Sequence, residues 1–138
     1  MPKIEVSLGE FIDKYTILKI KEERIKDEAK LKHIKVEIKS LLRNLNSDEE
    51  HLLSKTLPNE LISELKTVNE KLWDTEDVIR KCERENKFDE EFIEHARLDA
   101  KLNDQRFLIK NKINNRGDSL IKEQKSYDGL YTPDSTLD

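Results

Sequence analysis

Apolar residues recur every three or four positions through the first third of the chain, which is the spacing of an α-helix. Ser7 and Glu10 have the spacing of a capping box at a helix start, and no proline or glycine occurs between Glu10 and Leu45. The pattern therefore predicts one N-terminal helix of about 38 residues, roughly 57 Å long. Two apolar stripes run along it. The first is Leu8, Phe11, Tyr15, Leu18, Ile25 and Ala29, with Glu22 as a polar interruption. The second is Ile17, Ile20, Arg24, Asp27, Leu31, Ile34, Ile38, Leu41 and Leu45, in which the charged Arg24 and Asp27 interrupt the apolar pattern at mid-helix.

Two shorter helices follow a polar connection at residues 46–57, in which the capping-box spacing of Ser47 and Glu50 predicts a short helical turn at 48–55. The second helix begins near Pro58, ends near Asn86 and has the most regular seven-residue repeat of the chain. The third begins after Asp89 and ends before Gly117. Because only a few residues join these two helices, they must form an antiparallel hairpin. The predicted seam of the second helix is Leu61, Leu65, Val68, Leu72, Thr75, Ile79 and Cys82.

These elements predict an all-α protein, an elongated three-helix bundle with coiled-coil-like seams and one very long N-terminal helix. A single helical domain is expected at residues 1–127, followed by a flexible tail at 128–138. The long first helix overshoots its two shorter partners. We therefore predict a homodimer or a complex with another protein.

The seam of the third helix is unusual because its middle positions are polar. It consists of Phe92, Ala96, Asp99, Asn103, Arg106, Lys110 and Ile113. If the first and third helices are parallel, counting along the helix axes brings the polar interruptions of all three helices to one level. The candidate site at that level comprises Arg24, Asp27, Asn69, Trp73, Asp77, Asp99, Asn103 and Arg106, with Glu22 and Asp104 close by.

Two interpretations of this polar level stay open. It is either a network of ion pairs and amide hydrogen bonds that fixes the register of the helices, or a site for a small anionic ligand. In the second case Arg24 and Arg106 would hold a carboxylate or phosphate by paired hydrogen bonds, and Trp73 would supply a stacking face.

Composition limits the partners. Charged residues make up 41% of the chain, but the net charge is only −4 and both signs are mixed along it. No dominant basic face is predicted, so nucleic acid is not expected as a partner. No apolar run is long enough to insert into a membrane, and the N-terminus lacks a secretory signal pattern. Cys82 has no second cysteine to pair with, which suits the cytoplasm, and its seam position predicts a buried small hydrophobe.

No pattern of catalytic chemistry occurs in the chain. It has no glycine-rich phosphate loop, no zinc-binding spacing and no nucleophile motif, and its histidines (His33, His51 and His95) are scattered. We therefore predict no cofactor, no metal site and no catalytic residue. Whether the chain is an enzyme stays open on these grounds.

Four separated stretches can be read together with this helix pattern. They are IEVSLGEFIDKYTILKIKEERI, VNEKLWDTEDVIRKCE, ARLDAKLNDQRFLIKNKIN and SLIKEQKSY. In this order they resemble a small bacterial and phage protein family, a domain of unknown function, over residues 3–127. The resemblance implies a single helical domain and carries no activity or catalytic residue with it.

The prediction for function is a non-enzymatic helical interaction or assembly module that acts by helix–helix recognition. The alternative is a small anionic-ligand-binding protein or enzyme with a polar site in the middle of the bundle.

Overall fold

The computed structural model describes residues 1–51 and 59–117, and in these ranges the only regular structure is helical. The predicted all-α class is therefore confirmed. In chain order the helices are α1 (Leu8–Arg24), α2 (Glu28–Arg43), α3 (Ser47–His51), α4 (Asn59–Arg84) and α5 (Glu90–Arg116). None of the helices in these ranges is long and apolar enough to cross a membrane.

The single long N-terminal helix does not form, because the chain reverses after Arg24. Ile25 is extended, and Asp27 is the N-cap of α2, where its Oδ1 accepts a hydrogen bond of 3.1 Å from the Lys30 amide. An aspartate needs no proline or glycine beside it to begin a new helix. The absence of helix breakers therefore did not guarantee one continuous helix.

The reversal lays α2 back along α1 in the opposite direction. Lys14 near the start of α1 lies 4.0 Å from Glu37 in the second half of α2. The two apolar stripes predicted for one helix thus cover each other, since Leu18 packs with Ile34 and Ile38. Leu8 and Phe11, at the start of the first stripe, instead pack into the core formed with α4 and α5.

Among the described residues, the main core lies between α1, α4 and α5. The hairpin of α4 and α5 was predicted correctly, and Asn86 at its turn has the left-handed φ of 52°. Cys82 is 3% exposed, as its seam position predicted. The core side chains are Leu8, Ile12, Leu61, Leu65, Val68, Leu72, Leu102, Ile109 and Ile113.

α1 runs antiparallel to α5. The candidate site was predicted on the assumption that the first and third helices are parallel. Gly9 at the start of α1 contacts Asn114 near the end of α5. The extra reversal at residues 25–27 changes the direction of every later helix relative to α1. The level of Arg106 therefore falls near the start of α1 and not near Arg24.

The lengths of the helices also differ from the expectation. α1 has 17 residues, and its last residue, Arg24, contacts Asp74 in the middle of α4. The α4–α5 hairpin therefore extends past the end of α1, the reverse of the predicted overhang. The stretch SLIKEQKSY at 119–127, the predicted tail at 128–138 and Pro58 lie outside the described residues. Of the predicted turn at 48–55, α3 occupies the first half, and most of the second half also lies outside the described residues.

Candidate functional site

The centre of the polar interior is Asp13 on α1, whose side chain is 2% exposed. Its Oδ1 accepts hydrogen bonds of 2.9 Å from Arg106 Nε and 2.9 Å from Asn69 Nδ2. Arg106 Nη2 donates to the second oxygen, Oδ2, so the guanidinium holds the carboxylate at two points. Asp13 thus joins α1 to α4 and to α5.

Two further side chains complete this group. Thr16 Oγ1 accepts a 2.9 Å hydrogen bond from Asn69 and donates one of 2.8 Å to the Asp13 carbonyl oxygen. The buried Lys110 Nζ lies 2.7 Å from Glu10 Oε2 and 3.9 Å from Asp13 Oδ2. We call Asp13, Thr16, Asn69, Arg106 and Lys110 the Asp13 cluster. With Glu10 it brings together two carboxylates and two cations, so its charge is balanced.

A close approach of two backbones positions the cluster. The Gly9 amide donates a 2.6 Å hydrogen bond to Asn114 Oδ1. A Cβ at Gly9 would lie only 2.6 Å from the Lys110 carbonyl oxygen and 2.8 Å from Asn114 Oδ1. Any larger residue would therefore separate α1 from α5. Because the Asp13 side chain is short, it reaches Arg106 only when this contact holds α1 close to α5.

The polar seam of α5 continues past the cluster toward the hairpin turn. Arg106 Nη1 donates to Asn103 Oδ1 over 3.5 Å, and Asn103 Nδ2 donates to Asp99 Oδ2 over 3.2 Å. The other oxygen, Asp99 Oδ1, is buried and has no hydrogen-bond partner among the described residues.

Glu76 on α4 is the acidic neighbour of Asp99. Partial burial raises the pKa of the Glu76 carboxyl, and the charge of Asp99 and a hydrogen bond to Asp99 raise it further. Arg80 and Arg106 act in the opposite direction. When Glu76 is protonated, it donates to Asp99, and the two carboxyls then share this proton. We call Glu76 and Asp99 the acid pair.

The structure divides the eight predicted site residues into separate groups. Asn69, Asn103 and Arg106 belong to one hydrogen-bonded network with Asp13, and Asp99 ends it. The remaining four, Arg24, Asp27, Trp73 and Asp77, make none of the hydrogen bonds of that network.

Arg24 and Trp73 form a different contact at the end of α1. The Arg24 guanidinium carbon lies 5.7 Å from the centre of the Trp73 ring, and Nη1 donates a 2.6 Å hydrogen bond to Asp74. Asp27 caps α2, and Asp77 is exposed. The two nearby acids also lie apart, since Glu22 pairs with Lys19 over 2.8 Å and Asp104 is buried on α5.

The residues that α1 contributes to the Asp13 cluster were not among the predicted site residues. Gly9, Asp13 and Thr16 are small or polar and share one face of the helix, at positions i, i+4 and i+7. This stripe could have indicated the site from the sequence, because a glycine and an aspartate inside a helix need a structural reason. Lys110 was part of the α5 seam but was not assigned to the site.

Within the described residues, the site is a network of ion pairs and amide hydrogen bonds. Among the residues that the structure describes, no three side chains of His, Cys, Asp or Glu come together in a way that could hold a metal ion. The available chemistry is charge pairing, amide hydrogen bonding and proton sharing at the acid pair.

Comparison with known proteins identifies a family but no activity. No curated protein and no solved structure matches the chain. A protein-family model matches residues 2–137, nearly the whole sequence, and its description is a family of unknown function (DUF6165). The chain therefore belongs to this DUF6165 family of unknown function.

Proposed function

We propose that the chain is a non-enzymatic helical interaction module that acts by helix–helix recognition in the cytoplasm. The observation that carries this proposal is the closure of the Asp13 cluster. Asp13 takes both of its charged contacts and its amide contact from the protein itself. The single cysteine, Cys82, suits a reducing compartment.

A ligand would have to compete with this internal contact. A carboxylate or phosphate bound to Arg106 through Nε and Nη2 would displace Asp13 from the same donors. Asp13 would then be a buried carboxylate that has lost its two-point partner, which is costly. The cluster is therefore better suited to fixing the register of α1, α4 and α5 than to exchanging a ligand.

The second candidate is the binding of a small anionic ligand at Arg24 and Trp73. The Arg24 side chain is 31% exposed and lies over the Trp73 ring. Its partner Asp74 is 67% exposed, so an incoming anion could replace it, although Glu70 also lies 3.9 Å from the guanidinium. This would be a surface site at the end of α1, separate from the Asp13 cluster.

A double-mutant cycle tests the register function. Arg106→Met leaves Asp13 buried without its two-point partner, and we expect it to lower the free energy of unfolding by about 3–5 kcal/mol. Adding Asp13→Leu removes the stranded charge and should recover most of the loss. Arg97→Met, an exposed arginine on the same helix, is the matched control. A tolerated Arg106→Met would contradict the proposal.

Thermal shift with defined anions tests the second candidate. The full chain is titrated with inorganic phosphate, pyrophosphate and citrate, with Arg24→Ala as the binding variant. Under the proposed function no saturable shift is expected. A saturable shift that is lost in Arg24→Ala and kept in Arg97→Met would favour a ligand-binding protein instead.

A further inference from the structure

Arg106 connects two acidic groups that lie at different levels of the polar seam of α5. Its Nε and Nη2 hold the buried Asp13 of α1, and its Nη1 donates over 3.5 Å to Asn103 Oδ1. Asn103 Nδ2 in turn donates over 3.2 Å to Asp99, the partner of Glu76 in the acid pair. A continuous line of hydrogen bonds therefore joins the acid pair to the contact that docks α1 onto the α4–α5 hairpin.

The charges along this line are balanced only when one carboxyl group is protonated. The cations are Arg80, Arg106 and Lys110, and the carboxyl groups are Glu10, Asp13, Glu76 and Asp99. One negative charge is in excess when all of these groups are ionised. The acid pair also contains the buried oxygen Asp99 Oδ1, which has no hydrogen-bond partner among the described residues. This level of the seam therefore lacks a donor as well as a positive charge, and a proton supplies both.

Arg106 is attracted to both acidic groups. Partial burial and the charge of Asp99 raise the pKa of the Glu76 carboxyl, and Arg80 and Arg106 act against that rise. The guanidinium of Arg106 thus interacts with an ionised Glu76 while it holds Asp13. Its side chain is 29% exposed and not fully enclosed, so its position can respond to a change of charge at Glu76.

We propose that protonation of Glu76 strengthens the docking of α1 onto the α4–α5 hairpin, because a neutral Glu76 leaves Arg106 to Asp13. Docking and proton binding then favour each other by the same factor, since linkage between two sites is reciprocal. The inference rests on the proposed register function of the Asp13 cluster and adds a proton as its regulator.

The direction of the pH dependence follows from the charge of Asp13. When α1 is docked, Asp13 neutralises Arg106, so Arg106 lowers the pKa of Glu76 less than it does when α1 is undocked. The docked state therefore binds the proton more tightly. The extra stability of docked α1 is present at acidic pH and is lost as the pH rises through the raised pKa of Glu76.

Other titratable groups lie on the same hairpin. His95 precedes Asp99 by one turn of α5, and its buried Nδ1 has no hydrogen-bond partner among the described residues. Histidine is the side chain that most often changes charge near neutral pH. Glu91, one turn before His95, accepts a hydrogen bond of 3.7 Å from the Cys82 thiol. The contributions of Glu76 and His95 must therefore be separated by substitution.

Amide hydrogen exchange of the full chain tests the coupling. After correction for intrinsic exchange rates, protection of the α1 amides should fall at least about fivefold more than that of α4 amides between about pH 4 and about pH 8. Glu76→Gln should abolish this pH dependence, whereas His95→Gln should retain it. Glu64→Gln, an exposed glutamate on the same helix, is the matched control and should behave as wild type. Protection of α1 that does not change with pH, or a pH dependence that Glu76→Gln retains, would overturn the proposal.

The reciprocal measurement is the titration of the Glu76 carboxyl by nuclear magnetic resonance. Asp13→Asn removes the charge that neutralises Arg106, so the dissociation constant of the Glu76 proton should rise by the same factor. Glu10→Gln removes a carboxylate that pairs with Lys110 instead, and it should leave this titration unchanged. An equal titration of Glu76 in Asp13→Asn and wild type would contradict the coupling.

The two measurements complement each other. The exchange experiment needs no substitution at Asp13, so it decides the question even if Asp13→Asn does not fold. The stability cycle on Arg106 and Asp13 involves neither pH nor Glu76. Failure of the proton coupling is therefore distinguishable from failure of the proposed function.

Discussion

The two ends of the α5 seam bury a carboxylate in different ways. At the end covered by α1, Asp13 is held by Arg106 and Asn69 and lies close to Lys110, so opposite charge neutralises it. At the end that α1 does not reach, Asp99 faces a second acid, Glu76. The first carboxylate depends on a third helix and the second does not. The length of α1 therefore determines which part of the interior is held by ion pairs. Beyond the end of α1, the contact between the two acids depends on pH.

This difference predicts that the covered end is sensitive to shape and the open end to pH. The covered end depends on close contacts between helices that are distant in sequence, and packing defects there propagate to every member of the network. The stability of the open end depends on whether Glu76 is protonated.

Gly9→Ala at the covered end should be more destabilising than a substitution of Asn69 or of Glu76. The new methyl group would overlap the Lys110 carbonyl oxygen and force α1 away from α5. We expect a loss of about 3 kcal/mol in the free energy of unfolding, measured by urea titration. Lys14→Ala, at an exposed position one turn further along α1, is the control. If Gly9→Ala lowered the free energy of unfolding by less than Lys14→Ala does, a methyl group at this position would not overlap α5, and the prediction would be wrong.

Asn69→Ala should have an intermediate effect. It removes the amide that donates to both Asp13 and Thr16 in a site that is 5% exposed. The expected loss is about 2 kcal/mol, because one of these hydrogen bonds is to a charged group. Thr67→Ala, at an exposed position on the same helix, controls for helix propensity. Equal stability of the two variants would contradict the role given to Asn69.

Glu76→Gln should have the smallest effect, and its sign should depend on pH. Because the pKa of Glu76 is raised in the folded state, its stabilising contribution is present below about pH 4 and is lost as the pH rises through the raised value. A glutamine donates to Asp99 at every pH. We therefore expect the variant to be more stable than wild type at pH 7, with the difference vanishing near pH 4.

Thermal unfolding across this pH range measures the effect of Glu76→Gln. Glu64→Gln, an exposed glutamate on the same helix, controls for the loss of one negative charge. The groups that act on Glu76 are Asp99 and Arg106 from α5 and Arg80 from α4. A difference between Glu76→Gln and wild type that does not change with pH would exclude proton sharing.

The hairpin and its core could be predicted from sequence because their signals are local. The seam from Leu61 to Cys82 repeats regularly, and Asn86 sits where the chain must turn. Short connections leave only one way to pack such neighbours. The polar seam of α5 was equally visible, since Asn103 and Arg106 occupy core-facing positions.

The residue that pairs with Arg106 could not be predicted, because its identity depends on the chain reversal at residues 25–27. The sequence indicates that reversal only weakly. Asp27 caps a new helix in a stretch of good helix formers, where neither proline nor glycine marks the break. This single turn changes the direction of α5 relative to α1. It replaces Arg24 by Asp13 as the residue opposite Arg106, a change that no count along a helix axis could reveal.

The sequence separation of the Asp13 cluster has a consequence for the order of folding. The α1–α2 and α4–α5 pairs join neighbours in the chain, whereas Asp13 and Arg106 lie 93 residues apart and Gly9 and Asn114 lie 105 apart. Local hairpins close quickly, and distant contacts form late because closing a long loop costs more entropy. The docking of α1 onto α5 is thus the expected last step. Substitutions in the cluster should then accelerate unfolding and leave the folding rate nearly unchanged.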